Sequence, residues 1–441
     1  MTGTLVTRMT EDGESEAIVC FPARANYRSV VARIAAWRRY FDEADIPPGA
    51  VVAIDGGYSV DACALFLALV TSGRVAAPLP GGVDHSTYLR AAAADAIVAF
   101  TVAGTWSCSR LTPPAPPALL QTLRARGAGG VIVFSSGTTG QSKAGLFDFE
   151  ILMRRYHQRR RHYRTLAFLL LDHLGGIHTM LHTLSHGGTL IVAEERTPEA
   201  ICRAIERDRI ELLPTTPTFL RMLAISGLHR RHDLSSLRLI TYGTEPMPLA
   251  TLRGLKEIFP NVQFKQTYGL SELGVLPTRS RAPDSLWLEI GCDTRVVDGH
   301  LWIRSDTAML GYLNLPSPFD AEGWYNTGDA VEVDGRFLRI LGRDSDLINV
   351  GGQKVYPAEV EDTLLALDNV RDATAWGEAN PVTGQAVAAR VSLSAPEDEA
   401  TFERRLYEFC RGRLEPYKIP AVVEIVTDAH HSERFKKVRP R

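Results

Sequence analysis

The sequence has few cysteines, no excess of charge of one sign and no long hydrophobic run. Its six cysteines are scattered through 441 residues without a CxxC pair. This pattern indicates neither a zinc site nor a disulfide framework, and it fits a reducing cytoplasm. Lys and Arg together number 49, against 51 Asp and Glu, which argues against nucleic-acid binding through a global basic field. The apolar stretch 60–70 contains Asp61 and is too short to span a bilayer, and the N-terminus lacks the apolar core of a signal peptide.

The composition, 45% hydrophobic and 23% charged, is typical of a globular protein. The length allows one large core and a second domain. Helical spacing at 29–41 and 62–71 alternates with strand patterns at 51–54 and 75–79, which predicts a parallel sheet covered by helices. The rhythm changes to short strands after about residue 285 and returns to helix and strand from residue 357. We therefore predict two domains, 1–342 and 343–441.

A loop rich in Gly, Ser and Thr follows the strand candidate 130–134. Its glycines let the backbone approach an anion closely, its hydroxyls add donors, and its lysine adds a positive charge. It is not a Walker A loop, because Ser142 replaces the second glycine and Ala144 stands where a hydroxyl would hold magnesium. A flexible surface loop is the alternative interpretation. The candidate phosphate ligands are Ser135, Ser136, Gly137, Thr138, Thr139, Gly140 and Lys143.

This loop resembles SSGTTGxPKG, the signature of the adenylate-forming superfamily of acyl- and aryl-CoA synthetases, nonribosomal adenylation domains and luciferases. Ser142 replaces the proline and Ala144 the last glycine. Further segments resemble motifs of this family in the same order, from about residue 30 to the end, although the region before the loop is shorter than in most relatives. They are DHLGG at 172–176, YGTEP at 242–246, TYGLSE at 267–272, YNTGD at 325–329, GRDSD at 342–346, GGQKVYPAEVE at 351–361, YKIP at 417–420 and KV at 437–438.

The resemblance implies an α/β fold, with a large multi-sheet N-terminal domain and a small, mobile α+β C-terminal domain. It also implies an enzyme that uses ATP and Mg²⁺ to convert a small carboxylic acid into an acyl-adenylate, with release of pyrophosphate. The acyl group then passes to the thiol of CoA or of an acidic carrier protein. The sequence does not identify the acid.

The resemblance also implies roles in ATP binding. Glu272 would bind magnesium, Asp329 would accept hydrogen bonds from the ribose hydroxyls, and Arg343 would contact the same ribose. Tyr268 would stack on adenine, and Ser271, where the family has threonine, would offer its hydroxyl to the α-phosphate. Taken singly, such residues are more often surface acids, turn residues, ion pairs or core tyrosines. The remaining candidates near AMP are Gly243, Thr244, Glu245 and Gly269.

Catalysis would depend on residues from both domains. His173 would form a wall of the acid pocket, with Gly243–Glu245 and Gly269–Val275 lining the rest. Lys437 would bridge the acid carboxylate and the α-phosphate, although the family register also allows Lys436. For the thiol step, Ser345 stands at the hinge, where the family has Asp or Lys, and the segment Gly351–Gly352 would move to the site.

A basic run with interleaved aromatics occupies residues 154–164, RRYHQRRRHYR. A docking site for the phosphates of CoA or for an acidic carrier is one interpretation. A solvated helix face is the other.

Two further functions stay open. One is ATP-dependent activation without CoA, by a diazotase that activates nitrite or by an amide-forming ligase. The other is a nucleotide-binding protein without catalysis, against which the joint presence of Lys143, Glu272, Asp329, Arg343 and Lys437 argues.

Overall fold

The structure is a computed structural model, and it describes residues 3–101, 104–136, 142–283 and 285–426. The helices of this part of the chain are α1 Gly3–Glu11, α2 Tyr27–Glu43, α3 Val60–Val70, α4 Ser86–Ala92, α5 Ala118–Ala125, α6 Phe149–Met153, α7 Leu174–Ser185, α8 Pro198–Asp208, α9 Pro217–Ser226, α10 Leu249–Ile258, α11 Pro357–Leu365 and α12 Glu399–Cys410.

The strands are β1 Glu16–Cys20, β2 Ala23–Asn26, β3 Val51–Asp55, β4 Val75–Pro78, β5 Ala96–Phe100, β6 Trp106–Arg110, β7 Gly130–Ser136, β8 Ser142–Asp148, β9 Arg164–Leu166, β10 Thr189–Val192, β11 Leu212–Thr215, β12 Leu239–Tyr242, β13 Gln263–Gln266, β14 Tyr268–Leu270, β15 Gly274–Leu276, β16 Thr278–Ser280, β17 Leu288–Ile290, β18 Asp293–Val297, β19 His300–Arg304, β20 Gly311–Tyr312, β21 Tyr325–Asp334, β22 Phe337–Arg343, β23 Ile348–Val350, β24 Gln353–Val355, β25 Val370–Asn380, β26 Gly384–Leu393 and β27 Val422–Ile425.

Two seven-stranded sheets form the centre of the molecule. The first has the order β13-β12-β11-β9-β10-β1-β2. All of its neighbouring strands are parallel except β2, which is antiparallel to β1. The second has the order β20-β8-β7-β4-β3-β5-β6, with parallel pairs in its middle and antiparallel pairs at its ends. The predicted strands 51–54 and 75–79 correspond to β3 and β4, which pair in parallel as expected, and β2, β6, β8 and β20 add antiparallel pairs to the two sheets.

Helices fill the space between these two sheets. Every residue of α3 except Asp61 is buried, as expected for a helix that is apolar on all sides. Its N-terminus is capped by Ser59, whose hydroxyl accepts from the amide of Ala62 at 3.0 Å. One hydrophobic core joins α3 and α7 with Ile18 of the first sheet and Val52 of the second. The two sheets are thereby held together by apolar packing.

Two further sheets follow along the chain. The six-stranded sheet β16-β17-β22-β21-β19-β18 is antiparallel throughout. The five-stranded sheet contains β24-β23-β26-β25, with β27 beside β26. With α11 and α12, this last sheet has a hydrophobic core formed by residues 348–425. The predicted fold class, a multi-sheet α/β body with a small α+β part, is confirmed.

The predicted strand at 130–134 and the predicted helices at 29–41 and 62–71 correspond to β7, α2 and α3. Among the described residues, no helix combines the length and the apolar character needed to cross a membrane.

Candidate active site

The two ends of the predicted phosphate loop lie on paired strands. Strands β7 and β8 are antiparallel, with Ser135 opposite Lys143 and Ser136 opposite Ser142. Gly137, Thr138, Thr139 and Gly140 lie outside the described residues.

Asn314 fastens the start of β8, a role that the sequence did not reveal. Its Oδ1 accepts from the amide of Ala144 at 3.0 Å, and its Nδ2 donates to the carbonyl of Ser142 at 2.8 Å. Asn314 follows β20, which pairs with β8 at the sheet edge. The β8 side of the loop is thus held in place by a side-chain amide.

Lys143 and Glu272 lie on either side of one tyrosine. The Nζ of Lys143 is 5.6 Å from the ring centroid of Tyr312, and the Tyr312 hydroxyl donates to Oε1 of Glu272 at 2.6 Å. Glu272 occupies the turn between β14 and β15 next to Ser271, and only 8% of it is exposed. The fold therefore brings together two predicted ligands that are distant in sequence. Tyr312 was missed, although it follows a glycine at a β-strand edge.

Two phenols face the Glu272 carboxylate. Burial, followed by the effect of Glu272, raises the pKa of Tyr312 and of Tyr325 above the usual phenol range. Both hydroxyls therefore stay protonated at neutral pH and can act as hydrogen-bond donors to an anion. A protonated phenol next to a buried carboxylate compensates part of its lost solvation.

Asp329 is the centre of a second cluster. Strands β21 and β22 place Asp329 directly opposite Arg343, whose Nε donates to Oδ1 at 2.9 Å. The Tyr268 hydroxyl donates to Oδ2, and the amide of Asp329 donates to Thr327 Oγ1 at 3.0 Å. Asp329 is 4% exposed. Its carboxylate is thus fixed from both sides while each oxygen keeps a lone pair for a ligand.

Charge and burial shift the pKa values of Tyr268 and Arg343 in this cluster. Burial, followed by the nearby Asp329 carboxylate, raises the pKa of the Tyr268 phenol. For Arg343, burial disfavours the cation, but Asp329 outweighs it and raises the pKa of the guanidinium. Tyr268 also packs in the core of the six-stranded sheet. Its surroundings therefore match the alternative interpretation, in which it is a core tyrosine.

The predicted adenine turn follows β12. A Cβ on Gly243 would lie 2.7 Å from the carbonyl oxygen of Thr267, so only glycine allows this approach. Thr244 has φ +71°, an uncommon conformation for a β-branched residue. The Glu245 Oε2 accepts from the Thr218 hydroxyl at 2.6 Å. The backbone of this turn is therefore strained at Thr244, and the Glu245 side chain anchors the turn. Such strain is frequent at ligand sites.

His173 is the residue immediately before α7, and α7 packs against β15, the strand that follows Glu272. Backbone segments approach each other closely at two glycines of this region, Gly176 and Gly269. A Cβ on Gly176 would lie 1.9 Å from the Leu170 carbonyl oxygen, and one on Gly269 would lie 2.6 Å from the Gly274 carbonyl oxygen. Tight packing therefore explains these glycines without reference to a substrate.

The residues predicted for the thiol step lie in exposed turns. Ser345 occupies the 3₁₀ turn Asp344–Asp346. Gly351 and Gly352 form the two-residue turn between β23 and β24, with φ of +59° and +89°, as a type I′ hairpin requires. Lys436 and Lys437 lie outside the described residues.

The basic run 154–164 is not a helix face, so that interpretation was wrong. Only Arg154–Tyr156 forms a 3₁₀ turn. Arg155 donates to the carbonyl of Val275, Arg159 binds both carboxylate oxygens of Asp12 at 2.9 and 2.8 Å, and Arg164 pairs with Glu16 at 2.9 Å. Tertiary contacts, rather than helical periodicity, determine where these arginines point.

Three histidines are spaced one helical turn apart: His178 and His182 lie on α7, and His186 follows directly after its last residue. The ring centroids of His182 and His186 are 4.6 Å apart, and those of His178 and His182 are 5.9 Å apart. Tyr156 contacts all three rings, and its hydroxyl is 2.5 Å from Nδ1 of His178. We call these three residues the histidine ladder.

The ladder is held neutral. Burial, followed by neighbouring cations, lowers the pKa of His182 and of His186 to about 4 and that of His178 well below its usual range. The charged groups that act on the ladder from outside α7 are all cationic: Arg8, Arg155, Arg159, Arg160 and Lys265.

Acid is therefore expected to destabilise the fold through the ladder. Between pH 6.5 and about 4 these histidines are protonated in the unfolded chain but stay neutral in the folded protein. The free energy of unfolding therefore falls as the pH falls through this window. Each histidine contributes at most about 1.4 kcal/mol per pH unit. Urea denaturation between pH 4.5 and 7 would show a shallower dependence for His182→Gln than for the wild type. The exposed His162→Gln is the matched control, and an unchanged slope for His182→Gln would contradict the assignment.

Comparison with known proteins agrees with this arrangement. The family model described as AMP-binding enzyme matches residues 130–313, and the model for the AMP-binding enzyme C-terminal domain matches residues 359–436, together more than half of the chain. The chain belongs to the AMP-binding enzyme family. The resemblance seen in the sequence is thereby confirmed.

Individual relatives of this AMP-binding enzyme are ligases. The 2-succinylbenzoate–CoA ligase of Bacillus licheniformis is 29% identical over 327 residues, which cover 67% of this chain and 66% of the relative's own length. Two solved structures share the fold. The amide bond synthetase McbA from Marinactinospora thermotolerans has a TM-score of 0.81 at 24% identity and covers 98% of this chain and 97% of its own. The anthranilate CoA ligase AuaEII with anthranoyl-AMP has a TM-score of 0.83 at 19% identity, covering 99% and 95%.

Proposed function

We propose that this chain activates a small carboxylic acid with ATP and passes the acyl group from the adenylate to a thiol. The observation that carries the proposal is the juxtaposition of Lys143 and Glu272 on one tyrosine. The two residues belong to separate sequence motifs, to which the family resemblance assigns the triphosphate and its magnesium ion respectively. A protein without this chemistry has no reason to join them through a buried phenol.

The nucleotide would lie between the two clusters. Asp329, fixed by Tyr268 and Arg343, is suited to accept both ribose hydroxyls, because a carboxylate has about four acceptor positions. Adenine would lie against the turn Gly243–Glu245. The segment Gly137–Lys143 would hold the β- and γ-phosphates through backbone amides, hydroxyls and the Lys143 ammonium, and Ser271 would offer its hydroxyl to the α-phosphate.

Magnesium would enter with ATP. Among the described residues no group of three His, Cys, Asp or Glu side chains forms a metal site. The single buried Glu272 nevertheless fits this ion, because Mg²⁺ in nucleotide enzymes is usually held by one or two carboxylates together with phosphate oxygens and waters. Tyr312 donates to Oε1, and a carboxylate with about four acceptor positions keeps others for the cation. When bound, the ion would neutralise phosphate charge.

In the first step a carboxylate oxygen of the acid attacks the α-phosphorus, and the bond to the bridging oxygen of pyrophosphate breaks. Lys437 would hold the acid and the α-phosphate in line and stabilise the charge that builds up on the phosphate oxygens. His173 would form one wall of the acid pocket, and Gly243–Glu245 and Gly269–Val275 would line the rest. In the second step a thiolate sulfur attacks the acyl carbon, and AMP leaves with the electron pair of the broken C–O bond.

The second step would need movement between the two proposed domains, 1–342 and 343–441. Ser345 in its exposed turn is the proposed hinge, and the tight Gly351–Gly352 turn would approach the adenylate afterwards. CoA is the proposed acceptor, with a carrier thiol or an amine as alternatives that the same assay separates.

Pyrophosphate exchange tests the first step directly. Purified protein is given ATP, Mg²⁺ and labelled pyrophosphate with a panel of aryl, fatty, amino and small inorganic acids, with and without CoA. We expect acid-dependent exchange for at least one carboxylic acid, and a thioester product when CoA is added. AMP release without thioester would favour an amine acceptor, exchange with nitrite alone would favour a diazotase, and ATP binding without any exchange would refute the proposed function.

A further inference from the structure

Two half-buried cations, Arg155 and Lys265, lie near the hairpin β14–β15. Arg155 donates to the carbonyl of Val275, which is paired with Gly269 across the hairpin. Lys265 lies on β13, three residues before Tyr268, and Arg155 is one of the charges that act on its ammonium. The segment Gly269–Val275 is the one that we expect to line the acid pocket, so Arg155 contacts the expected wall of that pocket and Lys265 lies close to Arg155.

Neither cation has a counter-ion in the part of the chain that the structure describes. The neighbouring arginines 159, 164 and 221 pair with Asp12, Glu16 and Asp372. Around Lys265 the acting charges are Arg155 and Arg160, which, after burial, lower the pKa of its ammonium. Half-buried cations are ordinarily paired within a fold. A bound ligand with a negative charge would therefore supply the counter-ion that Arg155 and Lys265 lack.

The histidine ladder adds buried polar groups close to Arg155 and Lys265 without adding charge. His178 is engaged by Tyr156, and neither ring nitrogen of His186 has a hydrogen-bond partner among the described residues although His186 is 2% exposed. A purely apolar acid would leave these polar groups and both cations without compensation, which is unfavourable.

We propose that the acid substrate carries a second anionic group, a carboxylate, that binds Arg155 and Lys265. This inference rests on the proposed function and specifies its substrate class as dicarboxylic acids. The phosphates of CoA and an acidic carrier are less suitable occupants, because Arg155 and Lys265 are half-buried near the hairpin, whereas arginines 154, 160 and 161 are exposed.

The test compares each diacid with its own monomethyl ester, which removes one charge at nearly constant shape. Glutaric, adipic, phthalic and terephthalic acids and their monoesters are assayed by pyrophosphate exchange with the wild-type protein. We expect kcat/KM for the preferred diacid to exceed that of its monoester by at least about tenfold, the size expected for hydrogen bonds to a charged group.

Variants locate the effect. Arg155→Met and Lys265→Met are each expected to remove most of the diacid preference by raising KM for the diacid while leaving KM for the monoester nearly unchanged. Arg154→Met, an exposed arginine next in the chain, is the matched control and should keep the preference. The wild-type comparison does not depend on how any variant folds.

The outcomes distinguish failure of this inference from failure of the proposed function on which it rests. Exchange with monoacids but with none of the diacids, or equal use of diacid and monoester, would overturn the second-carboxylate site while leaving acid activation intact. Equal loss of both substrates in Arg155→Met and Lys265→Met would also overturn it, because a merely structural role has that result. Exchange with no acid at all would instead refute the proposed function.

Discussion

Glu272→Ala is expected to lower pyrophosphate exchange by about 10²–10³-fold, the size of the effect when one preorganised electrostatic group is removed from an active site. Glu272 is a buried carboxylate that is linked to Lys143 through Tyr312, which contacts both residues. Its loss would leave the phenols of Tyr312 and Tyr325 without their shared acceptor and the metal without its protein ligand. Exchange at saturating acid, measured over a range of Mg²⁺ concentrations, is the readout.

The Mg²⁺ titration distinguishes this role from a structural one. Glu272→Asp keeps a carboxylate on a shorter side chain. If Glu272 binds the ion, the exchange activity lost in this variant should be partly restored at high Mg²⁺, whereas a folding defect should not respond to Mg²⁺. Tyr312→Phe keeps the ring under Lys143 and removes only the hydroxyl, so we expect a loss of about tenfold or less. Glu289→Ala, which removes a surface carboxylate paired with Arg279 at 2.9 Å, is the matched control. Wild-type exchange in Glu272→Ala would refute the assignment.

The parts of the site that were predictable from sequence are those with local signals. A run of β-branched residues followed by glycines and hydroxyls indicated a strand and a loop, and β7, paired with β8, lies there. The strand pair that sets Asp329 opposite Arg343 likewise joins two motifs that the sequence already marked. In both cases the functional residues lie in short segments, and the residue types in those segments predict the local backbone conformation.

The other parts depend on tertiary packing. Tyr312 and Asn314 act because β20 adds to the edge of the second sheet, a pairing without a local signal in two residues. The histidine ladder is visible only once α7 and Tyr156 are packed together. The basic run shows the same limit, because its density of arginine indicated a charged helix, yet counter-ions elsewhere in the chain divide it into paired and unpaired members.

Lys437→Ala is expected to abolish the first half-reaction selectively. A cation that bridges two anionic reactants supplies both orientation and charge stabilisation, so we expect exchange to fall by about 10²–10³-fold. Thioester formation from chemically prepared acyl-adenylate and CoA should change little, since the attacking carboxylate and the leaving pyrophosphate are absent from that step. Measuring both half-reactions on one preparation provides the internal control for folding.

Lys436→Ala is the matched variant, because it removes an identical charge one position earlier. In the family ending, a glycine occupies the place of Lys436, so the assignment requires that Lys436→Ala keep near wild-type exchange. The opposite result, loss in Lys436→Ala and retention in Lys437→Ala, would move the catalytic role by one residue without affecting the rest of the site. Equal loss in both would mean that the net charge of the C-terminal segment, rather than one positioned ammonium, supports adenylation.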